Sequence, residues 1–237
     1  MIKRGVIPAA GAGERLRPFT LAFPKELLPV GDKAVIEHGV EAMVQADIRD
    51  ITVIVGWRKH AILDYLGSGS RLGVNITYLV QDEEKGLAKA IERAKTVIDE
   101  PFLVILGDNY LKPKSFAGEI VKFHEKEGSD CTIGVCRVNE PQKFGIIEVE
   151  GSRAVRAVEK PKKSESDLGI AGIYVFEPSI FETIKRLKPG KNGEYQLTDA
   201  IQLMISDGKK VLVKELLGTH IDVGTFEALR KLQGYPR

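Results

Sequence analysis

The stretch Gly5-Val-Ile-Pro-Ala-Ala-Gly-Ala-Gly-Glu-Arg-Leu-Arg-Pro-Phe-Thr20, followed by Pro24-Lys25-Glu-Leu-Leu-Pro29, decides how this chain is interpreted. A short apolar strand runs directly into a turn of small residues at 9–13, and cationic residues follow soon after the turn. Small residues leave backbone N–H groups accessible, so a polyanion can approach the turn closely while the cations neutralise it. The stretch predicts a phosphate site at the start of an α/β chain, although a tight turn alone would also explain the glycines.

Two familiar phosphate-binding loops do not fit this stretch. The dinucleotide fingerprint needs a third glycine where this chain has Leu16, and the nucleotide-triphosphatase loop needs a Gly-Lys-Ser/Thr sequence that is absent. Pro24 and Pro29 discourage a continuous helix between them. We therefore expect the segment to fold back as an irregular loop and return Lys25 to the same phosphates.

Composition limits the classes of protein to which the chain can belong. Its 237 residues fit one domain, 1–237, with a sizeable core. Lysine and arginine number 35 against 33 acidic residues, a balance that argues against a nucleic-acid partner. No apolar run is long enough to span a membrane, so we expect no membrane partner and a cytoplasmic location. Cys131 and Cys136 are five residues apart along a predicted strand and should face opposite sides, which excludes a bridge between them.

Strands and helices alternate through the first half of the sequence. Continuous β-branched and apolar runs predict strands at 4–8, 51–55, 75–80 and 102–106. Apolar residues at helical spacing predict helices at 34–45, 59–66, 86–98 and 116–126. This order predicts an open, mostly parallel sheet flanked by helices, a three-layer α/β/α fold resembling the Rossmann architecture.

The second half has a different pattern. Short strands at 131–138, 145–149, 154–159, 170–176 and 210–216 are separated by turn residues, with helices at 179–187, 197–206 and 225–233. Such a series suggests a mixed or antiparallel extension of the same sheet.

Two aspartates are candidate metal ligands. Asp108 ends an apolar strand, where an open α/β sheet places its ligands, and Asp222 precedes Gly224-Thr225 and a helix. One carboxylate from each half could hold a hard divalent cation that bridges substrate phosphates. Either aspartate alone is explained as readily by a turn or a helix cap, so the hypothesis depends on the pair.

Three further segments carry candidate binding groups. Gln81 could make paired hydrogen bonds to the edge of a base, and Gly86 leaves room for that base, although the segment also reads as an ordinary strand–loop–helix junction. Glu159 and Lys160 could hold a sugar hydroxyl and a phosphate, or form only an exposed ion pair. Glu194 belongs to a polar stretch that could be no more than a helix entrance.

Taken in order, these motifs resemble the sugar-1-phosphate nucleotidyltransferases, nearest to glucose-1-phosphate thymidylyltransferase and UTP–glucose-1-phosphate uridylyltransferase. The matching segments extend over nearly the whole chain: Ala-Gly-Ala-Gly-Glu-Arg (10–15), Pro-Lys-Glu-Leu-Leu-Pro (24–29), Gln81 with Gly-Leu-Ala (86–88), Leu-Gly-Asp-Asn (106–109), Phe-Gly (144–145), Glu-Lys-Pro (159–161), Gly-Glu (193–194) and Asp-Val-Gly-Thr (222–225). The resemblance implies an open α/β sheet with a nucleotide half at about 1–127 and a sugar-phosphate half at about 128–237. It also implies that a sugar 1-phosphate attacks the α-phosphorus of a nucleoside triphosphate, with Mg²⁺ as cofactor.

The resemblance assigns a role to each candidate. Arg15 and Lys25 would be the catalytic cations, with Lys25 near the α-phosphate, and Asp108 and Asp222 would hold Mg²⁺. The nucleotide would contact Ala10, Gly11, Ala12, Gly13, Arg15, Gln81 and Gly86. The sugar phosphate would contact Gly145, Glu159, Lys160, Gly172 and Glu194. The partners would be small molecules, and homo-oligomers occur in the family, so the oligomeric state stays open.

The identity of the nucleotide is not decided by the motifs. Ala10 and the stretch Gly193-Glu-Tyr-Gln-Leu-Thr-Asp199 resemble the uridylyltransferase branch, whereas Leu-Gly-Asp-Asn and Asp-Val-Gly-Thr resemble the thymidylyltransferase branch. We expect dTTP or UTP, with a slight preference for dTTP, and glucose 1-phosphate as the sugar. A UTP-specific enzyme and a non-catalytic nucleotide-sugar-binding relative are the alternatives. Glu14 is a departure from the family, because a carboxylate beside a triphosphate is unfavourable unless it points away or pairs with a cation.

Overall fold

The computed structural model describes residues 1–190 and 193–233, and these residues contain one large sheet with helices on both faces. The strands are β1 (Arg4–Ala9), β2 (Pro29–Val30), β3 (Lys33–Ala34), β4 (Asp50–Val55), β5 (Asn75–Val80), β6 (Phe102–Ile105), β7 (Asn109–Lys112), β8 (Cys131–Arg137), β9 (Gly145–Glu150), β10 (Arg153–Glu159), β11 (Leu168–Phe176), β12 (Val211–Glu215) and β13 (Thr219–Asp222). The helices are α1 (Phe19–Ala22), α2 (Val35–Gln45), α3 (Lys59–Leu66), α4 (Leu87–Glu92), α5 (Phe116–Glu127), α6 (Ile180–Lys185), α7 (Leu197–Ser206) and α8 (Phe226–Gln233). Short 3₁₀ turns occur at Glu14–Leu16, Lys25–Leu27, Ser70–Leu72, Arg93–Thr96 and Pro141–Lys143.

The main sheet has the order β5-β4-β1-β6-β11-β8-β12-β10-β9. Its first four strands are parallel, as expected of buried strands that alternate with helices. Beyond β6 the pairings are antiparallel except for the parallel pair β8–β12. The fold is therefore the mixed α/β sheet that the sequence predicts, and its antiparallel extension begins in the second half of the chain.

Helices α2, α3 and α5 cover one face of the sheet, and α4, α6 and α7 cover the other. The buried strand residues divide between the two resulting cores because successive side chains of a strand point to opposite faces. Cys131 belongs to one core and Cys136 to the other, and both are free thiols, as their spacing predicts. The three-layer α/β/α arrangement follows from this division.

Several elements differ from the sequence prediction, among them one helix and two short strands. The helix expected at 86–98 ends as α4 at Glu92 and continues as the 3₁₀ turn Arg93–Thr96. Strands β7 and β13 were not expected, because four residues are too few to show a period, yet they pair antiparallel outside the main sheet. This small ladder places Asn109 opposite Asp222, which brings the two candidate metal-binding segments together.

No helix within 1–190 or 193–233 is both long and apolar enough to cross a lipid bilayer.

Candidate active site

The loop after β1 lies at the carboxyl end of that strand and is packed against Lys25. Gly13 has φ of 65°, and a Cβ there would meet Thr20 Cγ2 at 2.8 Å, so both the backbone and the space require glycine. A Cβ on Gly11 would lie 3.9 Å from Lys25 Cε. Lys25 is therefore folded back onto the loop, as the two flanking prolines predict.

Lys25 and Asp108 form a mostly buried ion pair, with 2.5 Å between Lys25 Nζ and Asp108 Oδ2. Burial opposes the charge of Lys25, but the carboxylates of Asp108, Glu26 and Asp222 outweigh it and raise the pKa of Lys25. Burial would likewise raise the pKa of Asp108, and the neighbouring Lys25 overcomes this effect and lowers it. Both groups are thus charged at neutral pH, and each neutralises the other.

Asp222 is brought to the same point by the β7–β13 ladder. Its neighbour Val223 donates its backbone N–H to the carbonyl of Asp108 at 2.8 Å. Within the described part of the chain, Asp222 Oδ1 is buried without a hydrogen-bond partner, and Oδ2 lies 3.9 Å from Arg15 Nη2. Burial, followed by repulsion from Asp108, raises the pKa of Asp222 to about 6. Two repelling carboxylates with one unpartnered oxygen match the ligands that a hard divalent cation prefers.

A cavity of about 230 Å³ opens beside the ion pair. It brings together seven of the predicted residues: Ala10, Gly11, Lys25, Gln81, Gly86, Asp108 and Glu194. Its remaining wall is formed by Pro8, Glu26, Glu84, Leu87, Ala90 and Leu106. Three further nucleotide-binding candidates, Ala12, Gly13 and Arg15, belong to the loop after β1, and Ala12 borders a neighbouring pocket.

The backbone at Tyr195 packs so closely against Gly86 that no larger residue fits at position 86. The φ of Gly86 is 92°, and a Cβ would lie 2.7 Å from the carbonyl oxygen of Tyr195. Tyr195 donates its N–H to the carbonyl of Lys85 at 2.8 Å, and Gln81 Nε2 donates to the carbonyl of Gly86 at 3.4 Å. These contacts carry the adjacent Glu194 to the wall of the first cavity, whereas the resemblance suggested a position near the sugar.

A second cavity of about 170 Å³ adjoins the first and shares Asp108, Leu106 and Leu87 with it. Asp222 lines this second cavity, together with four of the predicted sugar-phosphate residues: Gly145, Glu159, Lys160 and Gly172. Thr198 Oγ1 donates a hydrogen bond of 2.6 Å to Glu159 Oε2, and Lys160 Nζ lies 3.4 Å from the other carboxylate oxygen of Glu159. The second cavity thus presents a carboxylate of fixed orientation beside an ammonium group.

Several residues of the two cavities escaped the sequence reasoning. Asn109 is buried and donates to the carbonyl of Ala171 at 3.2 Å, and its amide nitrogen lies 3.1 Å from His220 Nε2. Thr198 orients Glu159, and Glu26 lines the first cavity. Each lies within a few residues of a predicted site residue. Their nearness in sequence to those residues is the one feature by which the sequence could have indicated them.

Glu14, the departure from the family pattern, is paired with a cation. Its carboxylate is exposed and accepts a hydrogen bond of 2.9 Å from Arg17 Nη2. The pairing with a cation removes the conflict that a carboxylate beside a triphosphate would create. Arg15, in contrast, has no acidic partner closer than Asp222 among the described residues.

The geometry defines a class of protein, and comparison with known proteins gives its family. An α/β sheet carries, at the carboxyl ends of β1 and β6, a glycine-containing loop and two adjoining cavities with Lys25, Asp108 and Asp222 at or near their junction. Residues 4–234 match the nucleotidyl transferase family, and the chain belongs to that family.

Its relatives include both thymidylyltransferases and uridylyltransferases. The chain is 40% identical over 208 residues to the low-salt glycan biosynthesis nucleotidyltransferase Agl11 of Haloferax volcanii, covering 86% of this chain and 58% of that protein. It is 34% identical to a glucose-1-phosphate thymidylyltransferase of Streptomyces griseus, covering 93% of this chain and 62% of that protein. The chain thus spans less than two thirds of the length of these two relatives. A crystal structure of UDP-glucose pyrophosphorylase with UDP-glucose superposes with a TM-score of 0.90 at 30% identity, covering 99% of this chain and 98% of that one.

Proposed function

We propose that this protein transfers a nucleotidyl group from dTTP or UTP to a sugar 1-phosphate, with glucose 1-phosphate as the first candidate, and releases pyrophosphate. The observation that carries the proposal is the pair of adjoining cavities that share Asp108, with Lys25 at their junction. A nucleotide in the first cavity and a sugar phosphate in the second would meet at this point. The relatives named for glucose-1-phosphate chemistry support the same assignment.

The reaction needs alignment and charge neutralisation more than proton transfer. The second pKa of a phosphate monoester is about 6, so the attacking oxygen is already anionic at neutral pH. That oxygen forms a bond to the α-phosphorus, the bond from the α-phosphorus to the bridging oxygen breaks, and pyrophosphate leaves with the electron pair. The barrier comes from bringing two anions together, which fixed cations and positioning can lower.

The chain supplies these cations on its nucleotide side. In the proposed reaction, the ammonium of Lys25 turns from Asp108 to the α-phosphate and stabilises its developing charge. Arg15 and the backbone N–H groups of residues 10–13 hold the β- and γ-phosphates, while Gln81 and Gly86 face the base. No side chain has to accept a proton from the sugar phosphate.

The sugar phosphate is held on the other side of the junction. Lys160 pairs with the phosphate, Glu159 accepts a hydrogen bond from a sugar hydroxyl, and the backbone at Gly145 and Gly172 leaves room for the ring. Thr198 keeps Glu159 in one orientation through its 2.6 Å hydrogen bond.

Asp108 and Asp222 would hold Mg²⁺, which neutralises phosphate charge and aligns the reacting groups when bound. The unpartnered Asp222 Oδ1 and the raised pKa of Asp222 support this assignment. The described residues contain no cluster of three or more histidine, cysteine or acidic side chains that could hold a metal. The ion's other ligands would therefore be water and substrate phosphates, which is the usual arrangement for Mg²⁺.

The test is pyrophosphate release from a panel of nucleoside triphosphates, with Mg²⁺, in the presence and absence of each of several sugar 1-phosphates. We expect release from dTTP or UTP only when a sugar 1-phosphate is added, together with the matching nucleotide sugar. Excess EDTA should abolish release, and excess Mg²⁺ should restore it. Binding of nucleotide sugars without turnover of any pair would instead identify a non-catalytic relative.

A further inference from the structure

The turn of small residues after β1 is held by hydrogen bonds to its carbonyls. The carbonyl oxygens at its two ends, those of Ala10 and Gly13, each accept a hydrogen bond from another segment. In the described part of the chain, no group accepts a hydrogen bond from the N–H of Gly11, Ala12 or Gly13. The protein thus occupies the carbonyls at the ends of the turn and leaves the N–H groups between them open to a ligand.

Thr20 holds the carbonyl of Gly13. Its hydroxyl donates a hydrogen bond of 2.9 Å to that oxygen, which also accepts the N–H of Leu16 at 2.9 Å. Thr20 is only 1% exposed, so bulk water does not compete for this bond. Loss of the hydroxyl would leave the Gly13 carbonyl with Leu16 as its remaining partner, and the turn would be less tightly held.

Trp57 connects the other end of the turn to Thr20. Its backbone N–H donates to the carbonyl of Ala10 at 3.4 Å, and its indole Nε1 donates to the carbonyl of Thr20 at 3.0 Å. A Cβ on the preceding Gly56 would lie 2.6 Å from the Ala10 carbonyl oxygen, so the segment after β4 packs directly on the turn. Thr20 and Trp57 therefore form a connected brace around residues 10–13.

Holding the carbonyls fixes the directions of the neighbouring N–H groups. In a planar trans peptide unit the C=O and N–H point in opposite directions, so a bond to the Ala10 carbonyl also orients the N–H of Gly11. The bond to the Gly13 carbonyl orients the N–H of Glu14 in the same way. Without such bonds, a turn that contains glycine has access to many conformations, including those that present a carbonyl oxygen to a bound anion. The brace disfavours these conformations before any ligand binds.

We propose that Thr20 and Trp57 are positioning residues that preorganise the backbone of residues 10–13 for the β- and γ-phosphates of the nucleotide. This inference rests on the proposed function. The two side chains line neither of the two adjoining cavities, and they act only through the backbone that they hold. Preorganisation lowers the ordering cost of binding, so it favours the ligands that reach this backbone. A nucleoside triphosphate reaches it, whereas a nucleoside monophosphate and the sugar 1-phosphate do not.

The test compares the dissociation constants of UTP and UMP, or of dTTP and dTMP, measured by calorimetry with Mg²⁺. Thr20→Val exchanges the hydroxyl for a methyl group of similar size. We expect this variant to raise the Kd of the triphosphate about fivefold, as for the loss of one hydrogen bond, and to leave the Kd of the monophosphate unchanged. The KM of the sugar 1-phosphate should also stay unchanged. Thr20→Ser restores the donor and should return the ratio of the two Kd values to that of the wild type.

Two further variants connect the effect to the brace. Trp57→Phe keeps an aromatic ring and the backbone N–H but removes the indole donor, so it should raise the same ratio by a smaller factor. Thr183→Val is the matched control, because Thr183 is also buried and donates its hydroxyl to a backbone carbonyl, that of Ser179. Thr183 belongs to α6, which borders neither cavity, so both Kd values should equal those of the wild type.

The outcomes separate this inference from the function on which it rests. An unchanged ratio in Thr20→Val would overturn the brace and leave the proposed function standing. Equal weakening of the triphosphate and the monophosphate would indicate a general structural role and would also overturn it. If Thr20→Val does not fold, Trp57→Phe decides, and an unchanged ratio in that variant counts against the brace. No pyrophosphate release and no binding of either nucleotide by the wild type would overturn both proposals.

Discussion

Asp108 borders both cavities and holds Lys25 across their junction. Its position at the carboxyl end of β6 follows from the sequence, since an apolar strand ends there and ligands of open α/β sheets bind outside such ends. The prolines that flank Lys25 predict that the segment 24–29 folds back, but the sequence did not predict the ion pair between Lys25 and Asp108. Its exclusion from solvent and its repulsion of Asp222 depend on packing from distant segments.

Replacing Asp108 by asparagine should separate its chemical role from its structural one. Asparagine keeps the shape and can still accept a hydrogen bond from Lys25, while Glu26 and Asp222 remain as countercharges for that lysine. We expect pyrophosphate release to fall by about 100-fold or more, with little change in melting temperature. Turnover and circular-dichroism melting measure the two effects. Asp47→Asn, which changes an exposed carboxylate paired with Lys3, is the control, and near-normal turnover of Asp108→Asn would exclude Asp108 from the reaction.

Individual site residues were predictable where they end a strand or follow a glycine turn. Gly11, Gln81 and Gly86 come together because β1 and β5 belong to the same parallel part of the sheet and end at the same edge, with β4 between them. Glu194 was harder to place, because the bond from Tyr195 N–H to Lys85 is a tertiary contact that leaves no local pattern. The unpartnered oxygens of Glu26 and Asp222 are likewise visible only in three dimensions.

At the scale of elements, β11 lines the second cavity, and its regularity is interrupted at Gly172. The register of β11 with β8 shifts between Ile170 and Tyr174, and Gly172 lies in this interval with φ of 64°. The carbonyl of Gly172 accepts the N–H of Leu106, and the space that its Cβ would fill is occupied by the amide of Asn109. The irregular strand thus makes room for Asn109, and with it the start of β7.

Gly172→Ala should therefore lower the free energy of unfolding by more than the strain of the left-handed backbone alone would do. A Cβ at this position would lie 1.7 Å from Asn109 Nδ2, whereas a Cβ on Gly151, which has φ of 60°, would meet nothing within 4 Å. Gly151→Ala should lower the free energy of unfolding only by the cost of the left-handed conformation, about 1–2 kcal/mol. We expect Gly172→Ala to lose clearly more free energy of unfolding and to raise the KM for the sugar phosphate. Denaturant titration and kinetics measure these changes; equal losses in the two variants would show that Asn109 relaxes freely.

A buried histidine connects α5 to the neighbouring strands on the far side of the molecule. His124 Nδ1 lies 3.0 Å from Thr132 Oγ1 and from Ser129 Oγ, and its Nε2 lies 3.3 Å from Glu177 Oε1. Burial lowers the pKa of His124 below 6.5, and this effect outweighs the opposing influence of Glu177, Glu125 and Asp130. The folded protein therefore keeps this imidazole neutral at a pH where the unfolded chain has protonated it.

The His124 contribution to stability should decrease as the pH falls from about 7 towards 5, because in that range the unfolded state binds more protons than the folded state. Glu26 and Asp222, whose pKa values are raised by folding, give slopes of the opposite sign. The measurable quantity is thus the difference in unfolding free energy between wild type and His124→Gln at each pH. We expect the wild type to lose stability relative to the variant on acidification, and a constant difference would contradict this prediction.

Short elements were the part of the fold that the sequence did not reveal. The long apolar runs of β1, β4 and β6 and the periodic helices α2 and α5 were predicted close to their observed bounds. Strands β7 and β13 have four residues each, and their pairing links positions more than 100 residues apart in sequence. The sequence analysis therefore predicted that Asp108 and Asp222 act together, but it did not predict the β7–β13 ladder that brings them together.

At the scale of the whole molecule, the shared wall of the two cavities predicts how ligands stabilise the fold. A nucleotide sugar would occupy both cavities, whereas a nucleotide or a sugar phosphate alone would occupy one. We expect the product to raise the melting temperature more than either half at equal concentration, because stabilisation grows with the ratio of ligand concentration to Kd. Differential scanning fluorimetry with UDP-glucose or dTDP-glucose, UMP or dTMP, and glucose 1-phosphate tests this, and equal shifts for product and nucleotide would argue against one continuous site.

The pairing of β6 with β11 has a mechanical consequence. Four consecutive residue pairs, from Ile105 with Ile173 to Phe102 with Phe176, join residues 1–127 to the later part of the chain within one hydrogen-bonded ladder. The two parts are therefore held at the spacing of paired strands, about 4.8 Å between backbones, along this ladder. Severing the chain at position 127 would leave two exposed strand edges and aggregation-prone fragments in place of two working modules.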